Sequence, residues 1–229
     1  MKETLEYMRK QCALIDGLVE EQCVDPSGET EPILDGIVDI DKYYNQKIKI
    51  LWILKEPYDS DGGGWRLLEK INSDYIQIGK NRTYQPMIYV CYGIFQDFKT
   101  WSKMEYIRDD PTMALVLNKI AYINIKKLPG GKRTPPHVLR NAYEKNKNII
   151  LKQINTYKPN VIIGGNTLQY LIPDLNINSF KEQSKEKLRV YTSQEKILID
   201  AYHPNQTQIP REVYVDGIIR QVHDWWTKK

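Results

Sequence analysis

Long apolar runs are missing from this 229-residue chain, and cysteine and histidine are scarce, with three of each. No stretch approaches the ~20 apolar residues that a membrane-spanning helix needs. The first ten residues, Met1-Lys-Glu-Thr-Leu-Glu-Tyr-Met-Arg-Lys10, carry charge where a secretory signal needs an apolar centre. A cytoplasmic protein with no membrane partner is expected. Cys12, Cys23 and Cys91 are odd in number, far apart and without a Cys-x-x-Cys pair, the usage of a reduced compartment, and they are expected as small core residues. By themselves they cannot ligate a four-cysteine cluster or a structural zinc site, and with only three histidines beside them neither metal nor cofactor is expected. Charge of one sign is also lacking: the net +4 permits a nucleic-acid partner without requiring one. There is no P-loop, because no Gly-Lys-Ser/Thr follows Gly62-Gly-Gly64, and Arg133 occupies the hydroxyl position after Gly130-Gly-Lys132.

What is present is an alternation of short apolar strands with amphipathic helices. Ile50 to Leu54 is too short for a typical helix, is rich in strand formers, and reads as a strand buried on both faces. It runs into Glu56-Pro57, where the proline forces Glu56 out of helical geometry. Further strands are expected at Ile120–Leu128, Val161–Gly165, Leu188–Tyr191 and Lys196–Ala201. Helices are expected at 3–22, 65–80, 85–104, 136–157 and 213–226. This order predicts an α/β fold, a three-layer αβα arrangement around a central, mostly parallel, four-stranded twisted sheet. One domain is expected over 1–229, with an N-terminal helix and connector to residue 47, a core over 48–206 and a closing C-terminal helix over 207–229; a monomer is expected.

Chemistry concentrates at strand ends, where open α/β sheets bind ligands. Glu56 follows the first long strand. Asn124 is an amide in an otherwise apolar strand and needs partners, supplied by the protein or by a ligand, since burying it unpaired costs about 1–3 kcal/mol. His203 stands before Pro204 at the end of the last strand, suited to act as a general acid or anion stabiliser. Lys126, Lys127, Lys132 and Arg133 form a basic cluster, a phosphate contact or a solvated loop. The glycines at 62–64 allow close backbone approach to a ligand or serve as a hinge. The stripe Tyr89, Tyr92, Phe95, Phe98 and Trp101 reads as core packing, and the polar residues of the 25–47 connector call for no function.

Four local patterns, in order, resemble the uracil-DNA glycosylase superfamily. Leu54-Lys-Glu-Pro-Tyr-Asp59 is similar to the first motif, a strand ending in Gly-Gln-Asp-Pro-Tyr-His. Ile123-Asn-Ile-Lys-Lys-Leu128 resembles the strand whose asparagine reads the base. Asn160-Val-Ile-Ile-Gly-Gly-Asn-Thr-Leu-Gln169 is similar to the next strand and glycine turn, and Ala201-Tyr-His-Pro-Asn-Gln206 resembles the second motif, which ends in His-Pro-Ser-Pro-Leu. The resemblance implies an enzyme that hydrolyses the N-glycosidic bond of an extruded, uracil-like or modified base in DNA. Glu56 would order the attacking water and His203 would stabilise the departing base. Asn124, with Pro57, Tyr58 and Trp65, would hold that base, and Trp65 or Tyr84 would stand in for the family's stacking phenylalanine, which has no evident counterpart. Lys126, Lys127, Lys132, Arg133 and Asn205 would contact DNA, and Ile209 is the nearest candidate for the duplex wedge. Glu56 replaces an aspartate, Asp59 a histidine, and Gln206 and Thr207 a proline and a leucine. Two other readings remain open: a non-catalytic nucleic-acid-binding protein on the same fold, and a hydrolase of small nucleosides.

Overall fold

The computed structural model describes residues 2–131, 134–175, 180–183 and 188–229. Helix α1 (Lys2–Gln22) precedes a two-residue strand β1 (Gly36–Ile37), a short helix α2 (Ile40–Tyr44) and strand β2 (Ile50–Leu54). Helices α3 (Leu67–Lys80) and α4 (Tyr84–Phe95) lead through 3-10 segments at Trp101–Lys103 and Pro111–Lys119 to β3 (Ala121–Asn124). The long α5 (Pro136–Tyr157) returns the chain to β4 (Val161–Gly165) and the single-turn α6 (Leu168–Leu171). Strands β5 (Phe180–Gln183), β6 (Arg189–Thr192) and β7 (Ile197–Ala201) follow, and α7 (Arg211–Trp226) closes the chain.

All seven strands belong to one mixed sheet in the order β1-β3-β2-β4-β7-β6-β5. The inner pairs β3–β2, β2–β4 and β4–β7 are parallel, while β1, β6 and β5 join antiparallel at the edges. The sheet is therefore wider than the four strands expected from the sequence. The edge strands escape a hydrophobic-run criterion because β1 has only two residues and β5, Phe-Lys-Glu-Gln, is largely polar.

Side chains on a strand alternate between faces, so each inner strand feeds two cores. Ile50, Trp52 and Leu54 pack with α3, α4 and α7, whereas Leu51 and Ile53 pack with α1, α5 and α6. That is why β2 is apolar at every position: both of its faces are covered by helices. All three cysteines are buried and free, and Trp52 Nε1 donates to Cys91 Sγ at 3.4 Å. The aromatic stripe of α4 belongs to the first core, with Tyr89 buried and Tyr92, Phe95, Phe98 and Trp101 packed on it. Its helix is shorter than expected. It ends at Phe95, and Asp97 and Phe98 both take left-handed backbone angles that turn the chain back. Among the described residues no helix is long and apolar enough to cross a membrane.

Candidate functional site

Register brings the candidate residues together. Asn124 pairs with Leu54 across β3–β2, and Ile53 pairs with Gly164 while Gly165 pairs with Ala201. Asn124, Leu54, Gly165 and Ala201 thus form one row across the carboxyl ends of the parallel strands. Leu54 and Ala201 face the core made with α3, α4 and α7, as does Tyr122, two residues before Asn124. Glu56 and His203 each lie two residues beyond this row, in the segments that leave β2 and β7. Between them β4 ends in Gly165, where a Cβ would sit 2.9 Å from Leu54 Cδ2 and 3.1 Å from Pro204 Cδ. Its lack of a side chain lets the Glu56 and His203 segments approach each other.

The result is a cleft of about 870 Å³ whose lining includes Glu56, Asn124 and His203. Pro57, Tyr58, Trp65 and Asn205, expected from the sequence, line it too. So do Tyr84, the other candidate for the stacking ring, and Lys55, Arg82, Tyr122 and Thr134, which sequence reasoning had not assigned to a site. Arg82 and Tyr84 come from the α3–α4 junction. Nothing in the local pattern marks Arg82, because it reaches the cleft only through the packing of that helix pair on the sheet.

Glu56 is fixed rather than free. Lys126 Nζ donates to its Oε2 at 3.1 Å, Thr134 Oγ1 donates to its Oε1, and the side chain is only 6% exposed. The chain past β2 is zipped to the chain past β3, with Gly130 N donating to Pro57 O at 2.9 Å and Tyr58 bridging Gly130. Gly130 has no side chain because the Glu56 carboxylate occupies the space a Cβ would need.

His203 is held as a neutral imidazole. Burial, and then the nearby Lys55 cation, lower its pKa to about 4. The Asn205 backbone N–H donates to its Nδ1 at 3.2 Å, so Nδ1 is the acceptor and the proton sits on Nε2. No described group accepts that Nε2–H.

Asn124 is buried, and its backbone and side-chain nitrogens both donate to Asp35 Oδ2, at 2.6 and 3.3 Å. Nearby, burial pushes the Tyr84 hydroxyl up to about 12, against the weaker pull of the Tyr122 hydroxyl beside it. Trp65 is half-buried, with Lys70 Nζ 3.9 Å above its ring and its indole donating to Asp59 at 2.5 Å. Burial alone would raise Asp59, but the Asp61 amide, the Trp65 indole and Lys70 outweigh it and keep the carboxyl below its ordinary value.

Three expectations are corrected. Lys127 is not a phosphate contact: it is fully buried, with Nζ 2.7 Å from Asp35 Oδ1 and 2.9 Å from Gln153 Oε1. The two lysines are adjacent in the bend that follows β3, and their side chains leave it in different directions. Lys126 itself is engaged by Glu56 and by Pro129 O rather than offered to a phosphate. Ile209 packs half-buried against the core beside α7 instead of projecting as a wedge. Lys132 and Arg133 lie outside the described residues.

The connector also departs from its bland reading, since Asp35 is 2% exposed and carries the ion pair with Lys127. The glycine loop approaches protein, not the cleft: Glu31 N donates to Gly62 O at 2.7 Å, and Gly63, at φ +89°, lies against the Glu31 backbone.

No protein-family model matches the chain, and no curated protein does. The reading of the cleft rests on its chemistry. It joins an anchored carboxylate, a neutral imidazole with a free N–H, an amide, and aromatic rings at one sheet edge. Among the described residues no group of His, Cys, Asp and Glu forms a metal site.

Proposed function

We propose that this cleft receives a nucleobase extruded from DNA and hydrolyses its N-glycosidic bond. The observation that carries the reading is the convergence of Glu56, Asn124 and His203, from the ends of β2, β3 and β7, in one cleft. The inner strands β3-β2-β4-β7 are the counterpart of the four-stranded sheet expected of a uracil-DNA glycosylase-like fold, with β1, β5 and β6 as additions. Fold likeness alone fixes no activity.

The chemistry follows from the groups. A base inside a duplex is out of reach of a carboxylate, so it must leave the stack and be held by a polar reader and a ring. Asn124 is the reader, and Trp65 and Tyr84 are the stacking rings among the four aromatic side chains, with Tyr58 and Tyr122, that line the cleft. One oxygen of Glu56 takes Lys126 and the other Thr134, leaving each with a lone pair to orient a water toward the sugar carbon. The same negative charge favours the cationic sugar that forms as the carbon–nitrogen bond breaks. The departing base carries the bond's electron pair, and the Nε2–H of neutral His203 is the donor that stabilises it from a site of low dielectric. Water adds to the sugar carbon and its proton passes to the departing base anion, leaving a neutral free base and an abasic site.

A second reading draws support from the lysines. With Lys127 buried and Lys126 paired to Glu56, the basic edge is weaker than the sequence suggests. A small nucleoside needs no such edge.

Incubation with oligonucleotides carrying uracil, hypoxanthine, xanthine or oxidised pyrimidines, followed by abasic-site cleavage, tests the proposal. The wild type is expected to yield abasic sites, with Glu56→Gln and His203→Ala each slowed about a hundredfold or more. Cleavage at the wild-type rate by both variants removes the assigned roles. DNA binding with no product from any lesion leaves a non-catalytic binder.

A further inference from the structure

Behind Asn124 lies a polar cluster with no contact to water. Lys127 is a pure donor, and its ammonium sits 2.7 Å from Asp35 Oδ1 and 2.9 Å from Gln153 Oε1. With its oxygen turned to the lysine, Gln153 presents Nε2 to Asp35, donating to Oδ1 at 3.0 Å and to the backbone oxygen at 3.2 Å. Asp35, paired with a buried cation, is a carboxylate and accepts only. Its second oxygen takes the Asn124 backbone N–H at 2.6 Å and the Asn124 side-chain nitrogen at 3.3 Å.

The order of donors and acceptors is therefore set from Lys127 outward. Turning the Asn124 amide over would press its oxygen against the ionised Asp35 Oδ2, acceptor against acceptor, in a site that water does not reach. Only one orientation satisfies the cluster. In that orientation Asn124 Oδ1 receives no hydrogen bond from a described residue, and Asn124 lines the cleft. The Tyr122 hydroxyl, two residues back on the same face, lies beside the Asn124 side chain.

We infer that Lys127, Asp35 and Gln153 are positioning residues that lock Asn124 with its oxygen toward the cleft, so that the occupant is read through an N–H donor. Resting on the base-pocket reading, the inference narrows the substrate to bases with a ring imide or lactam N–H, or an exocyclic amine, on the edge that meets Asn124. A base offering only acceptors or a methylated nitrogen there leaves Asn124 Oδ1 unsatisfied and is rejected.

Two measurements on the full chain test this. The first needs neither ligand nor variant: in ¹⁵N-labelled protein, the Asn124 side-chain amide is expected to exchange slowly with solvent and to shift away from those of exposed asparagines. Free exchange would overturn the locked amide. The second is calorimetric binding of uracil against 3-methyluracil and of hypoxanthine against 1-methylhypoxanthine. The parent of each pair is expected to bind at least about tenfold tighter. In Asp35→Asn/Lys127→Met, which removes both charges together, that preference is expected to fall to within about threefold and the amide protection to be lost, at an unchanged circular dichroism spectrum. Equal binding of parent and methylated bases, or an undiminished preference in the folded double variant, would overturn the inference. If the amide is protected and no base binds, the base-pocket reading is what fails.

Discussion

Lys126 Nζ lies 3.1 Å from Glu56 Oε2, so the carboxylate past the end of β2 is one half of an ion pair rather than a lone charge. The pair ties the loop after β3 to the loop after β2, and the position of the carboxylate depends on both. Lys126→Met leaves a nearly buried carboxylate without its cation. A loss of about 1–3 kcal/mol of stability is expected in urea unfolding, together with a lower rate of abasic-site formation.

Gly130 offers a test of position alone. An alanine there places a methyl group in the space of the Glu56 carboxylate, whereas at Gly131 a methyl meets nothing within 4 Å. Gly130→Ala is expected to slow abasic-site formation about a hundredfold by displacing Glu56 on the order of an ångström, and Gly131→Ala to stay within about threefold of wild type. Equal rates for the two variants would argue against a catalytic Glu56.

His203 and Asp200 give opposite pH signatures. Folding lowers His203 from 6.5 to about 4, so between these values the unfolded chain binds more protons and stability rises with pH. Burial raises Asp200 from 3.8 to about 6, against the weaker pull of Arg189, so the folded chain binds more protons and stability falls as pH rises through that window. The two largely offset each other. Relative to wild type, Asp200→Asn is expected to gain stability from pH 4 to 6, and His203→Ala to lose it, each by on the order of 3 kcal/mol. Thermal melts at pH 4, 5, 6 and 7 measure both.

The Lys127–Asp35 pair is fully buried on both sides, with no exposed side-chain surface. Lys127→Met alone strands a charge and is expected to cost about 3–5 kcal/mol, and the double variant with Asp35→Asn markedly less. A double-mutant cycle by denaturant unfolding checks this. Additive effects would mean that the two groups are not coupled.

Arg82, exposed at the cleft, is the cation best placed to meet a phosphate among the described lining residues. If DNA is the partner, Arg82→Gln is expected to reduce the slope of log affinity against log salt by about one. An affinity for DNA that does not respond to salt would favour the small-nucleoside reading.

The amino-acid sequence by itself determined the alternation of strands and helices and the four parallel strands, because a strand covered on both faces must be apolar throughout, as Ile50–Leu54 is. It also marked Glu56, Asn124 and His203, since polar residues at the ends of such runs stand out. Tertiary structure alone decided which of the flanking groups face the cleft. Lys126 and Lys127 read alike in the sequence, yet in the bend after β3 one reaches Glu56 and the other a dry cluster with Asp35. Asp35 looked like one more connector residue until β1 placed it against β3. Arg82, Tyr84 and Thr134 join the cleft from segments far apart in the chain, and such meetings depend on how helices dock on the sheet, which no local pattern encodes.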